Sequence, residues 1–191
     1  MAFARTRRIL TLDEYFDVEL LSEVKHEFLD GEILAMSGGS PRHNTVASNL
    51  LRILATALRA SSCRALGSDQ RVATPDGLYT YPDLSVFCGP MVFAGGRSTT
   101  ATNPSLLVEV LSDSTRDYDR GEKLDKYKRI PSLGDILLVE PAFVRVEHWV
   151  RSGDDWSRTF HLDLEEGIAL AGCRVTVPIA EIYENLDGLP D

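Results

Sequence analysis

The run Leu106-Leu107-Val108-Glu109-Val110-Leu111 is apolar on both of its alternating faces apart from one glutamate. A run this short and this apolar reads as a buried strand. An ionised carboxylate inside such a strand costs roughly several kcal/mol in lost hydration unless it is protonated, paired with a cation or bound to a metal. Upstream, an aspartate opens a second run of the same kind, Pro82-Asp83-Leu84-Ser85-Val86-Phe87. Two carboxylates on neighbouring buried strands point to a metal site.

Composition narrows what such a site can belong to. The 191 residues fit one domain, and 43% hydrophobic with 26% charged residues is the balance of a soluble globular protein. No apolar stretch approaches the roughly 20 residues that span a bilayer, and the basic start, Met1 to Arg8, leads into Leu12-Asp13-Glu14 rather than a signal-peptide core. The expected location is the cytoplasm, with no membrane contact. Cys63, Cys88 and Cys173 are far apart and odd in number, so they are expected to be buried thiols, not a disulfide framework or a zinc knuckle. The net charge of -9 excludes a protein that coats nucleic acid non-specifically, because such binding needs many Lys and Arg; a local basic patch stays compatible with it. Hard divalent cations suit the acidic balance.

Thr11 and Glu14 have capping-box spacing for a helix over Leu12 to Leu21. Asp30-Gly31 between two strand-like runs predicts a two-residue hairpin in which Leu29 faces Glu32 and Phe28 faces Ile33, so that Glu27 and Glu32 share one face. Ser40-Pro41 opens a helix to about Ala60 whose apolar stripe is Val46, Leu50, Ile53, Leu54 and Ala57, with His43 one turn before it. Strands are then expected near Gln70 to Ala73, Tyr81 to Phe87 and Leu106 to Leu111, with a long loop from Gly89 to Pro104. A helix from about Tyr118 to Ile130, a buried strand from Ile136 to Val139, a hairpin of Val144 to Arg151 with Trp156 to Leu162, and a short helix over Ile179 to Leu186 complete the chain. The expected unit is a single domain over 1–191, with an N-terminal helix and hairpin (11–36), a core of about 40–141 and a C-terminal extension (144–186).

The core order of helix, three strands, helix and strand, with Pro82-Asp83 and Glu109 on consecutive strands, resembles the PD-(D/E)XK nucleases, whose fold is the α/β restriction-endonuclease-like one. More closely, Phe28-Leu29-Asp30-Gly31-Glu32, Ser40-Pro41-Arg42-His43, Pro82-Asp83-Leu84-Ser85-Val86, Val108-Glu109-Val110-Leu111-Ser112 and Tyr118-Asp119-Arg120-Gly121-Glu122-Lys123 resemble the Uma-type restriction-endonuclease family, long catalogued as a domain of unknown function. The resemblance covers roughly Leu12 to Trp149. It implies that Asp83 and Glu109 hold one or two divalent cations, usually magnesium, and that a lysine activates water. The superfamily's lysine slot, two positions after the glutamate, is Leu111 here. Placed at 100° per residue, Lys123 and Arg120 fall close to the inward stripe of Leu124, Tyr127 and Ile130. Lys123 matches the migrated lysine that the family resemblance implies.

The expected reading is a metal-dependent endonuclease hydrolysing nucleic-acid phosphodiester bonds. Magnesium, with manganese as a substitute, takes oxygen ligands from Asp83, Glu109 and the Val110 carbonyl, and Lys123 acts on the water. Glu27, Glu32, His43 and Arg120 are accessory candidates. Each has a plainer rival. Glu109 with Lys123 is also a buried ion pair, Asp83 a loop acceptor, His43 a capping residue, Glu32 an exposed hairpin position and Arg120 a surface ion pair. Asp117 and Asp119 are expected to complement the dipole of their helix. The expected partner is nucleic acid, DNA first, with a homodimer suited to cutting two strands. The alternative is an inactive nuclease fold that binds nucleic acid or a protein.

Overall fold

A computed structural model describes residues 9–36, 38–96 and 98–190; the basic stretch 1–8 lies outside the described residues. The N-terminal part comprises α1 (Leu12–Leu21), β1 (His26–Leu29), β2 (Glu32–Ala35) and α2 (Pro41–Ala57). The middle contains β3 (Cys63–Gly67), β4 (Arg71–Ala73), β5 (Tyr79–Thr80), β6 (Leu84–Cys88), β7 (Thr100–Ala101) and β8 (Leu106–Val110). Two short helices follow, α3 (Arg116–Arg120) and α4 (Glu122–Tyr127), and then β9 (Asp135–Val139). The C-terminal part adds β10 (Val146–Ser152), β11 (Asp155–His161), β12 (Gly167–Leu170), β13 (Val175–Pro178) and α5 (Ile179–Ile182).

The central sheet has the order β11-β10-β9-β8-β6-β3. Only β8 and β9 run parallel in it, joined by the crossover through α3 and α4. Strand β8 sits deep in this sheet, which is why both of its faces are apolar. Leu106, Val108 and Val110 pack toward Val46, Leu50 and Leu54 of α2, whereas Leu107 and Leu111 pack toward Leu124, Tyr127 and Ile130. Glu109 shares the parity of Leu107 and Leu111 and therefore points to the α4 side.

A second sheet, β2-β1-β5-β4-β7, flanks this core. Asp30 and Gly31 both take positive φ (50° and 86°), as the tight hairpin turn demands, and the register sets Leu29 opposite Glu32 and Phe28 opposite Ile33. Helix α1 begins with the expected capping box. The Thr11 hydroxyl accepts from the Glu14 N–H, and the Glu14 carboxylate accepts from the Thr11 N–H. Tyr15 and Phe16 of α1 then close over Phe28 and Tyr79.

The structure departs from the sequence reading in several places, among them β7 (Thr100–Ala101) inside the expected loop and a last helix confined to Ile179–Ile182. The segment Arg71–Ala73 belongs to the flanking sheet, and the first strand of the central three is β3. Cys63–Gly67 carries no clear alternation, so pairing with β6 and not its own pattern makes it a strand. The helix expected from Tyr118 to Ile130 is two helices broken at Gly121. Cys63 and Cys88 are directly opposite on β3 and β6 and form a disulfide, leaving Cys173 as a buried free thiol. Their separation in sequence concealed a pairing that the antiparallel register creates. Finally, β12 and β13 were not foreseen. Their apolar residues Ile168, Leu170 and Val177 join the α2 side of the core. Among the described residues no helix is long and apolar enough to cross a membrane.

Candidate metal-dependent nuclease site

Strand register brings the two carboxylates together. Leu84 lies opposite Val108 in the antiparallel β6–β8 pair, so Asp83, one residue before the strand, falls beside Glu109, and both point to the α4 side. Asp83 does not lie in the strand itself. Its Oδ2 accepts from the Val110 N–H at 2.7 Å, which continues the ladder with a side chain in place of a carbonyl. His43, one turn into α2, brings Nε2 to 3.3 Å from the same oxygen.

Lys123 supplies the opposite charge. Its Nζ lies 2.8 Å from Glu27 Oε1, 3.0 Å from Glu109 Oε1 and 3.4 Å from Asp119 Oδ1, and its side chain is only 5% exposed. Tyr127 donates its hydroxyl proton to Glu109 Oε1 at 2.5 Å, and the Thr80 hydroxyl donates to Glu27. Four elements thus meet at one ammonium: β1, β8, α3 and α4.

The electrostatics follow from burial and an excess of carboxylates. Burial pushes the Glu109 carboxyl up to about 8, with Asp119 and Asp83 raising it further and Lys123 opposing them. Asp119 is raised chiefly by burial as well. For Lys123, burial acts downward but Glu109, Glu27 and Asp119 overcome it, so the ammonium stays protonated well above the usual lysine range. Burial also lowers His43, yet the Asp83 carboxylate and the Val110 carbonyl leave the ring more basic than usual.

Asp83, Glu109, Lys123, Val110, His43, Glu27 and Asp119 all line one cleft of about 770 Å³, whose outer rim carries Ser112, Arg116, Pro141 and Ala142. Two accessory candidates lie elsewhere. Glu32 lines a smaller depression with Leu29 and Glu122. Arg120 turns to Glu140 at 2.8 Å and Glu147 at 3.5 Å, on the far side of α3. Leu111, in the usual lysine slot, is fully buried, packs with Leu124, Tyr127 and Ile130, and lines the same cleft.

The structure also adds residues that the sequence reading missed. Asp119 lies in the first turn of α3, as the dipole argument expects, but it is also buried against Lys123. Its spacing four residues before Lys123, with Tyr127 four after, was the available signal. Tyr127 was read as core only, and Thr80 gave no signal at all.

Among the described residues no three His, Cys, Asp or Glu side chains are placed to hold a metal by themselves. The donor set expected here needs only two carboxylates and a backbone carbonyl, which suits a hard cation that retains water. The buried cluster also fits a cation on charge grounds, since three carboxyl groups, Glu27, Glu109 and Asp119, surround the ammonium of Lys123, with Asp83 beside Glu109.

The fold and the cleft define a member of the restriction-endonuclease-like class. A crystal structure described as that of a putative nuclease belonging to DUF820, from Anabaena variabilis, matches with a TM-score of 0.75 at 18% identity, over 93% of this chain and 99% of that one. The family described as Uma2, "Putative restriction endonuclease", matches residues 12–177, and the chain belongs to that family. Two uncharacterised proteins of Synechocystis are similar along most of their length. One (sll1609) is 36% identical over 81% of this chain and 88% of its own; the other (slr1290) is 38% identical over 93% of each. Nucleases of this class generally work with divalent metals on nucleic acid.

Proposed function

We propose that this protein is a divalent-metal-dependent endonuclease that hydrolyses phosphodiester bonds in DNA, acting in the cytoplasm and as a homodimer. The observation that carries the reading is the meeting of Glu27, Glu109, Asp119 and Lys123 at the base of an open cleft with Asp83 beside them. Asp83, Glu109 and the Val110 carbonyl would hold magnesium, or manganese in its place. Such an ion supplies Lewis-acid polarisation of a phosphate oxygen and a more acidic bound water.

The chain's own residues account for the remainder. Lys123 is held protonated, so it serves as a hydrogen-bond donor and a fixed positive charge near the scissile phosphate, not as a base. Glu27, Asp119 and Tyr127 fix its position and that of Glu109. His43, basic and partly exposed at the cleft wall, donates to Asp83 and sets that carboxylate's orientation.

Incubation of purified protein with supercoiled plasmid tests this reading. Nicking or linearisation is expected with Mg2+ or Mn2+ and none in EDTA. Absence of cleavage of DNA and RNA with both ions would favour the inactive binding module.

A further inference from the structure

The face of the β10–β11 hairpin on the α3 and α4 side carries a second charge pattern, opposite in sign to the cleft. Residues Glu147, Trp149 and Arg151 lie opposite Phe160, Arg158 and Trp156, so they share the face that turns toward α3 and α4. Basic groups and rings alternate along it. The Arg145 guanidinium lies 4.7 Å from the Phe160 ring centre, and that of Arg158 lies 4.9 Å from Phe160 and 5.2 Å from Trp149. Lys128 Nζ is 3.4 Å from Trp149.

The charges are sorted by depth. Glu140 and Glu147 are 1% and 5% exposed, whereas the side chain of Arg158 is 48% exposed and Phe160 is 38% exposed. At Arg158 and Phe160 a visitor from solvent therefore meets a cation and an aromatic ring, in a protein of net charge -9, whereas Arg116 is paired at 3.1 Å with the fully exposed Asp113. The Nε of Arg145 is buried and has no hydrogen-bond partner among the described residues.

This strip is continuous with the cleft. Arg116, on the cleft rim, bonds Glu140 at 3.1 Å; Arg120 bridges Glu140 and Glu147; and Arg158 lies 3.6 Å from Glu147. The geometry points to a binding track for single-stranded nucleic acid, running from the cleft rim over Arg116 and Arg120 to Arg158 and Phe160. Phosphates meet the guanidinium groups, and unpaired bases stack on Phe160 and on the guanidinium planes beside it. A duplex keeps its bases inside, so it would leave the aromatic part of the strip unused. The inference rests on the nuclease reading for its substrate and adds which strand form is held and where.

The test is fluorescence anisotropy with a labelled single-stranded oligonucleotide of about 16 nucleotides, in EDTA so that nothing is cut, over a series of salt concentrations. Phe160→Ala is expected to weaken binding roughly ten-fold and Phe160→Trp to restore it, since one stacked base is lost and regained. Arg158→Ala should lower the slope of log K against log salt by about 0.7, the value of one phosphate contact on a single strand. All three changes lie on an exposed strand surface, and circular dichroism confirms folding. Wild-type affinity and slope in Phe160→Ala and Arg158→Ala, or no binding by the wild type, overturns the track. Binding that depends on Phe160 without cleavage under any metal would sink the nuclease reading and support the track. Cleavage with unaltered binding in both variants would do the reverse.

Discussion

Glu109 shows how far one side chain's behaviour follows from its place in a strand. Its carboxyl, pushed up to about 8 first by burial, holds its proton in the fold at pH values where the unfolded chain, near 4.3, has already lost it. Folding therefore takes up protons in that window, and this group makes stability fall as pH rises from about 4.3 to about 8. Metal-free Glu109→Gln should show a flatter dependence of melting temperature on pH across that range than the wild type. Equal slopes would show that Glu109 is ionised throughout. Lys123 acts in the same direction, at higher pH. Its raised value contributes stability that is present below the usual lysine range and lost only far above it. Lys123→Met removes the buried cation that Glu27, Glu109 and Asp119 share and should cost roughly 3 to 5 kcal/mol in denaturant titrations without metal. A loss under about 1 kcal/mol would mean that the cluster neutralises itself by protonation. The sequence made Glu109 and Lys123 legible, because a carboxylate in an apolar run and a lysine on an apolar stripe both demand partners. Glu27 showed as an accessory candidate through its hairpin face, and Thr80 not at all, because strands β1 and β5 meet through a pairing with no local signature.

At the scale of elements, α3 and α4 are separated by a break at Gly121, although Asp119 and Lys123 still meet as an i, i+4 pair. A continuous helix would carry Asp119 and Lys123 on one line, and the stripe of Leu124, Tyr127 and Ile130 suggested just that. The chain instead turns at Gly121, where a Cβ would stand 2.9 Å from the Asp117 carbonyl oxygen. Gly121→Ala should destabilise by roughly 1 to 3 kcal/mol through this overlap. It should also slow cleavage more than melting data alone would explain, because α3 and α4 share the Lys123 pairings. Cleavage at the wild-type rate would show that the break is incidental to the site. The strong local signals, the Thr11 capping box, the Asp30-Gly31 turn and the Ser40-Pro41 start, all correspond to observed elements. The weak ones failed for an identifiable reason: β3, β5, β7, β12 and β13 are short and gain their strand character from neighbours.

At the scale of the molecule, the net charge of -9 conceals a division between an acidic cleft and a basic, aromatic hairpin face. Composition alone could exclude a general nucleic-acid coat but not locate either feature. The order of strands in the two sheets was likewise beyond periodicity and came within reach only through family resemblance. An ion that binds only the folded state stabilises it, by about 2.7 kcal/mol at a hundred-fold excess over its dissociation constant. Mn2+ should therefore raise the melting temperature of the wild type. The most direct measurement combines Mn2+ calorimetry with cleavage assays on Asp83→Ala, Glu109→Ala and Lys123→Ala, each checked for folding at low temperature. Asp83→Ala and Glu109→Ala should lose tight Mn2+ binding and turnover together, whereas Lys123→Ala should keep the ion and lose turnover. Wild-type cleavage by Lys123→Ala, or unchanged Mn2+ binding by Asp83→Ala, would contradict the assignment of these roles.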